Sequence, residues 1–372
     1  MIEFSKFGTI VLYLFIVFGG VWFSYLAEKS EKKKLYIFFA YLIITIPQAF
    51  RYMVGIDYRN SYELATEFGR FTDVTKAIAY RSSTETAYKI IMFYSVKIFS
   101  SPFWGYSLYS FLTQLFVLKG IWNWKLNISP SVVTFIYLCT FYWRTYNLIR
   151  QSLAVAIVFF ALVYLYNKRI VRYIILVLIA SLFHKSAIVG IGFLLFYIRP
   201  RQNDVSKRSY MIYYYISLVV PIVAMIFSDV LINKIVNLSI FSSYEVYTDY
   251  DSRNISVYHL FLWTSQLVLY FYFRKQKYND ENRDLSIVVL DKAIVCDYIF
   301  SILSYSIGFA SRIGLYFTLP CFLSVGNMWT ERETKTSFTV FQLYIICVSL
   351  LKLVALLNDD RYGIIPYIFL EN

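Results

Sequence analysis

Six places along the chain set ionisable or hydrogen-bonding side chains inside or beside apolar stretches, where each is costly unless solvated or paired. The first is Arg51-Tyr-Met-Val-Gly55-Ile-Asp57-Tyr-Arg59-Asn-Ser-Tyr62, in which Gly55 permits a tight turn that would gather Arg51, Asp57 and Arg59. The plainer reading is an interfacial arginine beside a solvated acid. The second is Arg150-Gln151, preceded by Arg144 and Asn147, with Asn147 and Gln151 on one helix face at i, i+4. Arg150 needs an anion there, either a ligand or a protein carboxylate. The third is Phe183-His184-Lys185-Ser186, whose imidazole suits a general base but equally a helix-junction cap. The fourth is a helical stripe of Asp297, Ser301, Tyr305, Gly308 and Arg312, where Asp297 calls for an ion pair or a hydrated cavity. The fifth is Glu85, which alone reads as a solvated loop acid. In the sixth, Ser243-Tyr-Glu-Val-Tyr-Thr-Asp249-Tyr-Asp251-Ser-Arg253, an Asp-x-Asp matches the acidic motif of soluble nucleotide-sugar enzymes. Its interleaved tyrosines suit a glycan instead.

The elements that must position these groups are membrane helices. The chain has 372 residues, 59% apolar and 16% charged, with a mean hydropathy of +0.55. Apolar stretches at 7–27, 35–50, 103–122, 131–149, 152–166, 173–183, 187–198, 210–228, 256–273, 285–307, 313–329 and 338–357 give about twelve transmembrane helices. The first is expected to stay as a span, since no basic region or small-residue cleavage site marks it as a signal peptide. The net charge of +13 sits largely in short links, 28–34, 167–172, 199–208, 274–283 and 330–335, which the positive-inside rule assigns to the cytoplasm. The charge is thus a topology signal, and no nucleic-acid partner is expected. As one helix, 173–198 would run ~39 Å between two basic flanks, so it should cross twice with His184 at the outer bend. Parity likewise leaves 84–100, which carries Lys89 and Lys97, as one short re-entrant or interfacial helix.

The expected fold class is therefore all-α: a polytopic integral membrane helical bundle, one membrane domain over 1–372, with outer loops at about 51–83 and 229–255. Cys139, Cys296, Cys321 and Cys347 are scattered without a CxxC pair, so free thiols and no metal site are expected. Neither an internal repeat nor room for a nucleotide-binding domain is evident. Outward arginines, a histidine, carboxylates and tyrosine-rich loops above a lipid-facing bundle favour an anionic lipid substrate with a polar head, because guanidinium binds phosphate in bidentate fashion. A lipid-linked oligosaccharide flippase would show two related halves. A polysaccharide O-acyltransferase would fit His184 but not the arginine set. A polysaccharide ligase would likewise act on an anionic lipid-linked substrate.

The ordered set Arg51-x-x-x-Gly55-x-Asp57-x-x-x-x-Tyr62, Glu85-x-x-Tyr88, Arg150-Gln151-x-x-Ala154, Phe183-His184-x-Ser186-Ala187 and Arg312-x-x-x-Tyr316, closed by Ile365-Pro366-Tyr367, resembles the EpsG family of Wzy-type bacterial polysaccharide polymerases. The resemblance implies a GT-C-like membrane enzyme at the outer face of the bacterial cytoplasmic membrane. It would polymerise polyprenyl-diphosphate-linked oligosaccharide units into capsule, exopolysaccharide or O-antigen. A sugar hydroxyl attacks the anomeric carbon and the lipid diphosphate departs, with no cofactor. The lipid bilayer, a flippase and a chain-length regulator of the same pathway are the implied partners. On this reading Arg51, Arg150 and Arg312 clamp the diphosphate, with Arg59 and Lys185 assisting. His184 is the first choice of base and Asp57 the second. Tyr62, Tyr88, Gln151 and Glu85 contact the glycan.

Overall fold

Residues 6–29 hold no charge between Lys6 and Glu28, and the computed structural model folds them into α1 (Lys6–Lys29), ~36 Å long. The Ser5 hydroxyl accepts the Gly8 amide at 3.0 Å and caps its start. Thr9, Tyr13, Ile16, Val17, Gly20, Ser24 and Ala27 face inward at helical spacing, whereas Phe7, Phe15, Phe18 and Trp22 are exposed. Aromatic groups outward and hydroxyls inward is the arrangement a lipid solvent selects. The structure describes residues 1–81, 83–124, 127–197, 219, 257–276, 285–304, 309–330, 335–360 and 362–370. These form two compact units, Met1–Ile188 with Gln342–Asn372, and Val189–Phe341.

In the first unit α1 packs on α2 (Lys33–Ala49) and on α7 (Pro130–Cys139). The stretch 51–83 was expected as a loop. Most of it is helical instead, as α3 (Ile56–Arg70) and α4 (Val74–Ala79), both packed on α5 (Thr86–Phe99). Apolar residues at helical spacing, Tyr58, Ala65 and Phe68, give α3 a buried face that its polar composition concealed. Asp73 caps α4: its carboxylate accepts the Thr75 hydroxyl at 2.5 Å and the Lys76 amide at 3.0 Å. Helix α5 has 14 residues, ~21 Å, short of a ~30 Å hydrocarbon layer. Lys89, buried on α5, donates to the Ile78 carbonyl at 2.7 Å, at the end of α4.

Helix α6 (Phe103–Trp122) packs on α8 (Ile149–Tyr166), which in turn packs on α9 (Ile170–Phe183). The expected span 131–149 is broken: α7 ends at Cys139 and a 3-10 turn, Tyr142–Tyr146, leads into α8. Here Thr140 bonds back to the Ile136 carbonyl at 2.6 Å and Thr145 to the Tyr142 carbonyl at 2.5 Å. Such side-chain bonds compete with the regular helix ladder. The break at His184 lies where charge parity put it. The arm beyond it is a 3-10 segment, Lys185–Gly192, followed by α10 (Phe193–Tyr197), and not one α-helix. A two-residue antiparallel pair joins β1 (Ile2–Glu3) to β2 (Ile368–Phe369), an addition to the expected all-α fold.

The second unit holds α10, α11 (Val257–Gln276), α12 (Leu285–Leu303), α13 (Ala310–Thr330) and the start of α14 (Lys335–Asp359). Arg274, expected to open a solvated basic link, is buried within α11. It pairs with Asp291 of α12 at 3.0 Å and donates to Asn327 of α13 at 3.0 Å. Asp297 accepts the Thr318 hydroxyl at 2.6 Å. Among the described residues α1, α8 and Thr339–Asp359 of α14 are long and apolar enough to cross a membrane. The expected span 210–228 and outer loop 229–255, with Asp249 and Asp251, lie outside the described residues, as do Tyr305 and Gly308.

Candidate functional site

Three helix ends converge in the first unit. Glu85 immediately precedes α5, Arg150 is the second residue of α8, and His184 follows the last residue of α9 in an extended conformation. The Glu85 carboxylate joins them: Oε2 lies 2.5 Å from Arg150 Nη1 and Oε1 lies 3.9 Å from His184 Nε2. Glu85 is not the solvated loop acid its sequence context suggested, since its side chain is only 7% exposed. Two helix N-termini nearby favour a negative charge there. The anion that Arg150 required is therefore a protein carboxylate. Arg150 remains 38% exposed and lies 5.0 Å over the Tyr88 ring, so one face of its guanidinium is still open.

His184 is oriented by its neighbour. Nδ1 lies 2.7 Å from the Ser186 hydroxyl and receives the Ser186 amide at 3.4 Å. An amide can only donate, so Nδ1 is the accepting nitrogen and Nε2 carries the proton toward Glu85. At 3.9 Å that approach is an electrostatic contact, longer than a hydrogen bond.

A column of phenols backs this cluster. Tyr88 Oη lies 2.9 Å from Tyr106 Oη, which lies 2.8 Å from the Ser61 hydroxyl. The Tyr106 ring packs 4.3 Å from Tyr58, and the Arg51 guanidinium sits 5.3 Å over Tyr58 and 4.6 Å over Tyr146. Arg51 thus occupies the inner end of a stack whose outer end is Arg150. It is 1% exposed. Its nitrogens donate to the carbonyls of Val54, Gln48 and Tyr146 and to the Ser110 hydroxyl. Gly55 makes the turn expected of it, with φ of +107°, and an added Cβ would come 2.7 Å from the Tyr146 carbonyl oxygen. The turn separates the charges it was expected to gather, sending Arg51 into the core and leaving Asp57 and Arg59 on the exposed side of α3.

The other expected residues are dispersed. Arg59 donates to the Gly363 carbonyl at 3.2 Å, and Lys185 is exposed beside His184. Tyr62 Oη lies 3.2 Å from the Ser101 hydroxyl, its ring in the same aromatic column, and Gln151 is buried on α8. Arg312 stands half-buried in the first turn of α13, in the second unit.

Sequence reasoning passed over Tyr106 and Tyr109 on α6. The signal was present: Tyr106, Tyr109, Ser110, Thr113 and Gln114 form a polar stripe at i, i+3, i+4, i+7 and i+8 in an apolar helix. Asp291 was also missed, although a carboxylate inside an apolar run carries the same signal as Asp297. Among the described residues no three His, Cys, Asp or Glu side chains gather as a metal would require.

Apolar helices long enough to span, polar side chains turned inward, and a partly exposed arginine ion-paired at converging helix ends define a multi-helix membrane protein with a polar site. The EpsG family model matches residues 34–369, nearly the whole chain. The chain belongs to the EpsG family, which is associated with polysaccharide polymerases. No curated protein and no solved structure matches it.

Proposed function

We propose that this protein is a membrane glycosyltransferase that joins polyprenyl-diphosphate-linked oligosaccharide units into a surface polysaccharide at the extracytoplasmic face of the bacterial cytoplasmic membrane. Family membership supports the polymerase class. The observation that carries the chemistry is Arg150, half-exposed at a helix N-terminus and backed by a buried carboxylate and an oriented imidazole. An acceptor sugar hydroxyl attacks the anomeric carbon of the donor, and the lipid diphosphate leaves with the electron pair. Arg150 stabilises that developing charge, while the Glu85–His184 pair takes the acceptor proton. Tyr62, partly exposed on α3, offers a flat face to the glycan, whereas Tyr88, expected to do the same, is buried beneath Arg150 and supports the guanidinium instead. Arg51, engaged by four protein acceptors, holds the stack in place and does not touch the diphosphate. Asp57, exposed on α3, has no proton-transfer step in this reading. No metal takes part.

The test is turnover of a defined lipid-linked repeat unit by purified protein. Arg150→Lys keeps the charge but loses the planar fork, so it should fail nearly as badly as Arg150→Ala, by about a hundredfold. Near-normal turnover in Arg150→Lys would remove that role, and Arg312→Lys tests the diphosphate contact expected of Arg312 separately. Chelation should leave wild-type turnover unchanged, and loss restored by Mg²⁺ or Mn²⁺ would overturn the metal-free mechanism.

One observation favours a second reading. Ser186, His184 and Glu85 stand in hydroxyl–imidazole–carboxylate order, which is the order acyl transfer uses. In the polymerase reading Ser186 only fixes the tautomer, so Ser186→Ala should retain at least about a tenth of turnover, whereas acyl transfer to a polysaccharide by the wild type that is abolished in Ser186→Ala would favour an O-acyltransferase.

A further inference from the structure

The anion on Arg150 is a carboxylate of the protein itself, and this constrains how the polymerase reading can operate. A carboxylate and a phosphate compete for the same guanidinium fork. Glu85 Oε2, 2.5 Å from Arg150 Nη1, occupies one prong of the fork that a diphosphate needs. The carboxylate is nearly buried while the arginine is not, so the arginine is the partner that an incoming anion can reach.

A second observation lies on the neighbouring helix. Tyr109 is fully buried on α6, and among the described residues its hydroxyl has no hydrogen-bond partner. Its ring packs 6.0 Å from Tyr88, the residue that carries the Arg150 guanidinium, and 5.9 Å from Phe183, the residue before His184. A buried hydroxyl without a protein acceptor calls for a partner, and a nearby carboxylate that exchanges its own partner can supply one.

Resting on the polymerase reading, we propose that Glu85 is a displaceable carboxylate: it holds Arg150 until the substrate's diphosphate takes the guanidinium, and then, steadied by the Tyr109 hydroxyl, accepts the acceptor sugar's proton. The new bond runs from the acceptor oxygen to the anomeric carbon. The bond from that carbon to the diphosphate oxygen breaks, and its electron pair leaves with the diphosphate. The acceptor proton ends on Glu85. A protonated Glu85 no longer competes for Arg150, so the guanidinium stays on the leaving group through the transition state. Loss of that proton restores the carboxylate, which reclaims Arg150 and expels the lipid diphosphate. Glu85 is in this scheme a catalytic residue and not a glycan contact.

The scheme predicts opposite changes in binding and turnover. Farnesyl diphosphate is the probe, titrated into full-length protein in nanodiscs, with turnover measured on a lipid-linked repeat unit. Glu85→Gln should bind farnesyl diphosphate about tenfold more tightly, because the competing charge is gone, while turnover falls about a hundredfold. Glu85→Asp, one methylene shorter, should also bind more tightly but keep part of the turnover, and it carries the test if the amide variant misfolds. Tyr109→Phe should leave binding unchanged and lower turnover. Binding that weakens or stays level in both Glu85 variants would overturn the proposal and make Glu85 a structural counter-ion. Wild-type protein that turns over the repeat unit, with no such split in the Glu85 variants, refutes only this scheme. Folded wild-type protein that binds no farnesyl diphosphate and turns over nothing refutes the polymerase reading beneath it.

Discussion

The two arginines at the ends of the tyrosine stack have opposite surroundings, and that difference sets what each can do. Arg51 is enclosed and hydrogen-bonded to three backbone carbonyls and a serine, whereas Arg150 shares one carboxylate and faces outward. Arg51→Ala should therefore act on stability, because it strands buried acceptors that cost about 1–3 kcal/mol each when unpaired. Thermal unfolding in detergent should drop markedly for Arg51→Ala, with diphosphate affinity per folded molecule unchanged. Arg150→Ala should lose diphosphate affinity per folded molecule, and because it strands the nearly buried Glu85 carboxylate it should lower the melting temperature as well. A normal melting temperature for Arg51→Ala would show that its carbonyl bonds matter less than their burial implies.

At the scale of elements, helix ends do the positioning, and each is held by a specific side chain. Asn147 links three parts of the first unit: its Oδ1 accepts the Asp57 amide at the start of α3 at 3.0 Å, and its Nδ2 donates to the Tyr362 carbonyl at 3.0 Å. Asn147→Ala should cost about 1–3 kcal/mol, read as a lowered unfolding midpoint, and Asn147→Asp should recover only the acceptor half. Asp73 offers a pH test of α4. The Thr75 hydroxyl and then the Lys76 amide hold its carboxyl down to about 2, from an ordinary 3.8. A carboxyl depressed on folding stabilises the ionised, capped state above about pH 4, and that contribution is lost as pH falls through about 2. Amides 74–79 should thus lose hydrogen-exchange protection progressively across that window. Asp73→Asn, which can still accept but carries no charge, should flatten the dependence.

For the molecule as a whole, the C-terminal segment closes the first unit. Gly363 accepts the Gly55 amide at 3.0 Å, Ile364 accepts the Tyr13 hydroxyl at 2.5 Å, and Tyr367 donates to the Pro47 carbonyl at 2.7 Å. These bonds pin the turn that sends Arg51 inward. The proposed topology is tested by impermeant thiol labelling: cysteine at exposed Asn60 should react from outside the cell, and cysteine at exposed Lys168 only after permeabilisation. Asn60 labelled from the cytoplasm alone would reverse the assignment of both faces.

By itself the sequence determined that the chain belongs in a bilayer, because uncharged runs of helical length have no other stable solvent. It also determined the break at His184, since two basic flanks around one apolar run leave room only for a turn, and the order of motifs that marks the EpsG family. Tertiary structure decided the rest. That Arg150 needed an anion could be read from its position, but that the anion is Glu85, 65 residues earlier, could not. Burial cost says that a charge must be paired and is silent on the partner, which only the convergence of α5, α8 and α9 supplies. For the same reason Arg51 and Arg150, alike in sequence as arginines at helix ends, part company in the fold: one is surrounded by carbonyls and the other has an open face.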